Sequence, residues 1–183
     1  MSTYEEHEKA ALMVIDVQIG VVDSAWKRDE IVSRIADLVS RARDSDVEVI
    51  WVQHSESEMP IGGEYWQIVP ELKPVKNEKI IHKIFRSAFE ETELEEVLEE
   101  LDIGHLVITG AQTNYCVRHT IHAGIERGFN ITLVEDAHTT MDESWDGVTI
   151  SAEQIVAELN RACSKYQLPD SFVDVAKAES IHF

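Results

Sequence analysis

The stretch LVITGAQTNYCVRHTIHAG, Leu106 to Gly124, changes its period half-way along. His105 to Thr109 is a short apolar run of the buried-strand type, and it stops at Gly110. From Asn114 to Arg127 the residues Val117, Ile121 and Gly124 fall on one face, which is helical spacing. A strand that passes through a few polar residues into a helix is the repeating unit of an α/β fold.

The same unit recurs on either side. Ala11 to Ile15, Val47 to Gln53 and Ile131 to Val134 read as further buried strands, ending near Asp16, Gln53 and Asp136. Lys79 to His82 and Phe172 to Val175 are weaker strand signals. Between them lie helical patterns over Glu30 to Arg43, Glu93 to Leu101 and Ala152 to Tyr166. Thr92 with Glu95, and Ser151 with Gln154, predict capping boxes at two helix starts. Alternating strands and helices predict a parallel sheet covered on both faces. The irregular segment from Ser55 to Asn77 carries Pro60, Pro70 and Pro74, and its length suits a functional lid or wall.

At 183 residues the chain has the length of one domain, and 44% apolar with 28% charged residues is ordinary globular composition. The net charge of −19 argues against nucleic acid and anionic membranes as partners, because both require basic patches. Two cysteines, Cys116 and Cys163, are too few for a disulfide scaffold, so a reducing cytoplasm is the expected location. The N-terminal MSTYEEHEKA has no basic start with an apolar stretch behind it, so no secretory signal is expected. The longest apolar run, Ala10 to Ile15, is too short for a membrane span.

In open α/β sheets ligands bind beyond the carboxyl ends of the strands. Those ends carry Asp16, Gln53 and His54, His82 and Lys83, Gly110 to Cys116, and Asp136 to His138. Cys116 stands at a predicted helix start, with Thr113 or Asn114 as the cap. Free N–H groups and a partial positive charge there would lower its pKa, and the same N–H groups could hold an oxyanion. A buried structural thiol is the ordinary fate of a free cysteine, and Cys163, on the apolar face of the last helix, fits that better. Asp16 taken alone reads equally well as a helix cap, and Lys83 as a surface residue. Together with Cys116 they read as a proton acceptor, a stabilising cation and a nucleophile.

The sequence resembles the isochorismatase-like cysteine hydrolases, which include nicotinamidases and N-carbamoylsarcosine amidase. The resemblance lies in ALMVIDVQ (Ala11 to Gln18), WQIVPEL (Trp66 to Leu72), KIFRSAFEETEL (Lys83 to Leu94), the opening stretch, and LVEDAHTT (Leu133 to Thr140). It implies a three-layer αβα sandwich with a six-stranded parallel sheet. It implies Asp16 as general base, Lys83 as the cation beside it and Cys116 as nucleophile. It also implies a cis peptide between Gln112 and Thr113, with an oxyanion hole built from the N–H groups of Thr113 and Cys116. A small-molecule amide or ureido compound is the expected substrate, hydrolysed through a thioester. Gln18, Trp66, Phe89 and Tyr115 are the residues expected to meet it, and a homodimer or homotetramer is the expected assembly.

The departures narrow this. Nicotinamidases carry an Asp-x-His segment that binds a divalent metal, whereas here Val52-Gln53-His54-Ser55-Glu56 lacks the aspartate. No metal and no cofactor are therefore expected, and nicotinamide is a poorer substrate choice. True isochorismatases lack the cysteine. Glu91 stands where many relatives have glycine. His119 and His122 have ligand spacing on one helix, but no third ligand accompanies them. A dinucleotide-binding domain would need a glycine-rich turn after the first strand, and Asp16 to Gly20 does not supply one. A non-catalytic scaffold protein is the remaining alternative.

Overall fold

The computed structural model describes His7 and residues 9–183. Most of the N-terminal stretch considered for a signal lies outside the described residues. The chain begins with strand β1 (Lys9–Ile15), a short helix α1 (Ile19–Val22) and helix α2 (Arg28–Asp44). Strands β2 (Glu48–His54) and β3 (Lys79–Lys83) follow, separated by the long irregular segment. Then come helix α3 (Leu94–Glu100), strand β4 (Ile103–Ala111), a single wide helical turn (113–117), helix α4 (Arg118–Glu126) and strand β5 (Asn130–Thr139). A small hairpin of β6 (Glu143–Trp145) and β7 (Val148–Ile150) leads into helix α5 (Ala152–Cys163). The last strands are β8 (Gln167–Leu168) and β9 (Ser171–Ala176).

Among the described residues the main sheet has seven strands, in the order β3-β2-β1-β4-β5-β9-β8. The first six run parallel, and the two-residue β8 adds an antiparallel edge to β9. The sheet thus exceeds the expected six strands by one short element. The fold class is the expected one, an α/β sandwich of three layers. β1 is an interior strand, and from Ala10 to Ile15 it sends alternate apolar side chains to opposite faces. Leu12 and Val14 join the core under α2, with Ile31, Ile35, Leu38 and Val39. Ala11, Met13 and Ile15 join the core under α3, α4 and α5, with Leu98, Ile121 and Leu159. A strand buried on both faces reads as a continuous apolar run, which is why β1 was legible.

Local signals were less uniform. The Ser151–Gln154 capping box forms, and it starts α5. The Thr92–Glu95 box does not. Thr92 Oγ1 donates to Ala88 O at 2.6 Å, and Glu95 faces Arg127 at 3.2 Å. α3 accordingly begins with Glu93 as its cap and without a side-chain cap bond. β5 runs past Val134 to Thr139 with a register shift opposite Gly110, so Asp136 and His138 lie within the strand. No helix among the described residues is long and apolar enough to cross a membrane.

Candidate active site

Parallel pairing brings three strand ends together. Ile15 lies opposite Val52 and Gly110, and His54 lies opposite Lys83. Asp16 therefore leaves β1 between β2 and β4, and its N–H donates to Val52 O at 2.9 Å. It turns out of the strand at φ 49°, a left-handed conformation that Asp tolerates better than most residues. Close approach here demands Gly110. At φ 116°, a Cβ on residue 110 would sit 2.0 Å from Ile15 O.

Lys83 closes β3 with its side chain fully buried, and Nζ lies 2.7 Å from Asp16 Oδ2. The same ammonium donates to Cys116 Sγ at 3.2 Å and to Phe85 O at 3.2 Å. Its three protons thus face a carboxylate, a thiol and a carbonyl. His54 Nδ1 stands 3.4 Å away, and burial, followed by the Lys83 charge, lowers the imidazole pKa. Apart from the Lys83 ion pair, neither Asp16 oxygen meets a well-aligned donor, although both are buried. Such a carboxylate has acceptor capacity left for a donor placed beside it.

Cys116 lies in the turn 113–117, where the N–H groups of Tyr115 and Val117 both point to Gln112 O, at 3.1 and 3.2 Å. The bond from Val117 spans five residues, a π-type widening that recurs at functional sites. The expected caps do not form. The Thr113 hydroxyl is 2.9 Å from His138 Nδ1, and Asn114 Oδ1 accepts from Thr140 Oγ1 at 2.6 Å. The cis peptide also lies one bond earlier than expected, between Ala111 and Gln112.

The thiol is not acidic, which reverses the expectation of a lowered pKa. Burial and then the Asp16 charge push it up to about 12, outweighing Lys83. A wide turn at the bottom of a cleft offers less hydration than an exposed helix start, and a neighbouring anion opposes a second one. Cys116 therefore keeps its proton in the resting site.

Beside the thiol lies a cavity of about 670 Å³, reached by Asp16, His54, Gln112, Tyr115 and Cys116. Tyr115 is the expected contact residue found in its wall, under the Arg86 guanidinium at 3.9 Å from the ring centre. The other three lie elsewhere. Gln18 is buried, donates to His54 O and Trp66 O at 2.9 and 2.7 Å, and accepts from His54 N–H. It ties the long segment to the sheet. Trp66 stacks near His82 and lines a separate cavity on the other side of that tie. Phe89 is core, packed on Phe129 and against Gly124. Aromatic type alone could not separate these fates.

The cavity wall contains residues that the sequence did not mark. Asp23, Glu56, Glu58, Tyr65, Arg86 and Met141 all line it. Glu56, Glu58 and Tyr65 belong to the irregular segment singled out as a lid or wall, but no periodicity predicts which loop side chains turn inward. His119 Nδ1 lies 2.7 Å from Tyr115 O, and His122 rests near Tyr166. Among the described residues no group of three or more His, Cys, Asp or Glu side chains is placed to hold a metal ion.

The sequence profile of the isochorismatase domain matches residues 10–162, which include every residue of this cluster. The chain belongs to the isochorismatase family. It is 34% identical over 160 residues to an uncharacterised isochorismatase family protein, YrdC, of Bacillus subtilis, covering 78% of this chain and 83% of that protein. It is 25% identical over 181 residues to the streptothricin hydrolase of Streptomyces noursei, covering 94% of this chain and 70% of that one. The crystal structure of an isochorismatase from Pseudomonas putida superposes with a TM-score of 0.86 at 30% identity, covering 100% and 93% of the two chains. The family is one of hydrolases, and this chain is read as a hydrolase on that membership.

Proposed function

We propose that the protein hydrolyses a C–N bond of a small amide or ureido compound, with Cys116 as nucleophile. The observation that carries this is the buried cluster in which one ammonium, Lys83, touches both Asp16 at 2.7 Å and Cys116 at 3.2 Å at the cavity floor.

The chemistry follows from the charges. The thiol passes its proton to Asp16 as sulfur attacks the substrate carbonyl carbon. Because burial holds the thiol pKa up, transfer and attack occur together. The oxyanion is assigned to the N–H groups of Gln112 and Cys116, the two residues of this stretch that line the cavity beside the sulfur together with Tyr115, whose own N–H is spent on Gln112 O. The intermediate collapses, the C–N bond breaks, and the leaving nitrogen takes the proton from Asp16. Water then adds to the thioester, Asp16 accepts its proton, and the acid departs with the thiol restored. Lys83 keeps its charge throughout and offsets whichever neighbour is anionic.

Ammonia or amine release from a panel of small carboxamides and N-carbamoyl compounds tests the reading. The expected result is turnover of at least one member, abolished in Cys116→Ala. A mass increase equal to the acyl group, on Cys116, identifies the thioester. Turnover that survives Cys116→Ala refutes the proposal.

A further inference from the structure

The turn that carries Cys116 is held from behind by a chain of three polar side chains, two of them fully buried, that makes no hydrogen bond to the thiol. Thr113 opens the turn, and its hydroxyl lies 2.9 Å from His138 Nδ1. His138 Nε2 lies 2.8 Å from Asn160 Oδ1, and Asn160 Nδ2 donates to Glu135 O at 2.9 Å. Thr113 and His138 are completely buried. The three side chains come from the turn, from β5 and from α5.

The direction of each bond is fixed by what its ends can do. The Asn160 amide nitrogen faces a backbone carbonyl, so its oxygen faces the imidazole. Nε2 must then carry the proton, and Nδ1 must be bare. A bare Nδ1 accepts, so the Thr113 hydroxyl donates inward and is spent. Burial lowers the His138 pKa to about 4, so the pattern holds at neutral pH. A second tie, Thr140 Oγ1 to Asn114 Oδ1 at 2.6 Å, holds the next residue of the turn to the end of the same strand.

We infer that His138 is a positioning residue for the nucleophile: through Thr113 it fixes the turn, and so the distance from the Cys116 sulfur to Asp16 and Lys83. This rests on Cys116 being the nucleophile. An apolar residue would fill the space behind the turn equally well, so filling alone does not require an imidazole. Polar side chains buried in series are costly unless satisfied, and here the hydroxyl of Thr113, both ring nitrogens of His138 and both amide atoms of the partly buried Asn160 each have a partner. What the imidazole adds is direction. It takes the hydroxyl from one side only, and it is itself aimed by α5.

The test separates aim from stability. His138→Asn places an amide oxygen where Nδ1 was, keeping the Thr113 bond and losing Asn160. His138→Gln reaches Asn160 and leaves Thr113 without its acceptor. Thr113→Val removes the hydroxyl from the other end. Each is measured for Tm and for the rate of Cys116 alkylation by iodoacetamide across pH, followed on the Cys116 peptide. The expected result is an alkylation rate changed by about tenfold or more in His138→Gln and Thr113→Val, and faster where the sulfur moves away from Asp16, since one pKa unit is a tenfold change in thiolate. His138→Asn stays within about threefold of the parent, well inside that scale, although its Tm falls as far as that of His138→Gln. Alkylation rates that follow Tm across the three variants overturn the inference, as do unchanged rates in His138→Gln or Thr113→Val. Should His138→Gln not fold, Thr113→Val decides alone. Because alkylation needs no substrate, failure here is distinct from failure of the hydrolase reading, which turns on Cys116→Ala.

Discussion

Replacing Asp16 by asparagine keeps the shape of the side chain and removes its charge, and the two consequences run in opposite directions. Sγ of Cys116 and Oδ2 of Asp16 touch the same Lys83 ammonium at 3.2 and 2.7 Å, so they lie within about 6 Å of each other. Two unit charges at that separation interact by about 3 kcal/mol at an effective dielectric of about 20. That is about a hundredfold in acidity. In the parent, burial and then the Asp16 charge hold the thiol at about 12. Asp16→Asn leaves the burial and the Lys83 charge and removes the repulsion, so the midpoint of thiol ionisation falls to about 10. The cysteine becomes easier to ionise while the enzyme becomes worse. With no group to take the thiol proton and return it to the leaving nitrogen, turnover falls by about a hundredfold to ten-thousandfold. Iodoacetamide alkylation of the Cys116 peptide, followed against pH, reads the first effect, and amine release reads the second. Following that peptide alone keeps the buried Cys163 out of the signal. An alkylation midpoint that stays put or rises in Asp16→Asn refutes the electrostatic argument. Turnover retained in that variant refutes the base assignment.

Lys83→Met strands a buried carboxylate, so unfolding in urea should show a loss of about 3–5 kcal/mol together with loss of turnover; full stability would mean that the ion pair does not form. Gly110→Ala forces a Cβ against the Ile15 carbonyl and should yield insoluble protein or a loss above about 4 kcal/mol; a soluble variant of normal Tm would contradict the close approach of β1 and β4. Glu91 sits at φ 50° on the surface, so Glu91→Gly should raise stability by about 1 kcal/mol, and a lower Tm would contradict this. His138 is neutral in the fold with its pKa pushed from 6.5 to about 4, so its contribution is complete above pH 6.5 and is lost as pH falls toward 4. Over that window the parent should lose about 3 kcal/mol more than His138→Gln, measured as the difference between their urea unfolding energies at each pH, and parallel curves would exclude the effect.

The parallel sheet is legible because it leaves the strongest trace, runs apolar on both faces that break off at Asp16, Gly110 or before Asp136. The strand ends also named Asp16, Lys83 and Cys116, the cluster proposed as catalytic, since a parallel sheet delivers its carboxyl ends to one edge. Local chemistry was harder to read. Thr92 and Glu95 have capping-box spacing, yet the carbonyl of Ala88, four residues upstream, takes the Thr92 hydroxyl, and Arg127 reaches Glu95 through a tertiary contact. Thr113 looked like a cap, but His138 from another strand claims its hydroxyl. The thiol pKa was misjudged for a related reason. A helix start lowers it only where water remains, and sequence does not show how deeply Cys116 is buried. Glu91 gained a meaning that its residue type withheld, because a left-handed φ is the condition that favours glycine there.

The long segment from Ser55 to Asn77 is anchored along its second half, where Val69 and Leu72 enter the core and backbone bonds join Gly20 to Tyr65, Ile19 to Gln67 and Val69 to Val17. Gln18 and Gln53 both donate to Trp66 O, a short bridge joins Gln18 to Ile68, and the bridge from Glu56 to Met59 closes a turn within the segment itself. Asp16 and Lys83, by contrast, stand on or beside rungs of a parallel ladder. For anyone retraining this protein on a new compound, the two regions are separate design spaces. Glu56, Glu58 and Tyr65 can be randomised together as an interchangeable cassette. The reagents on the ladder stay in register, provided that Gln18 is left alone as the clasp.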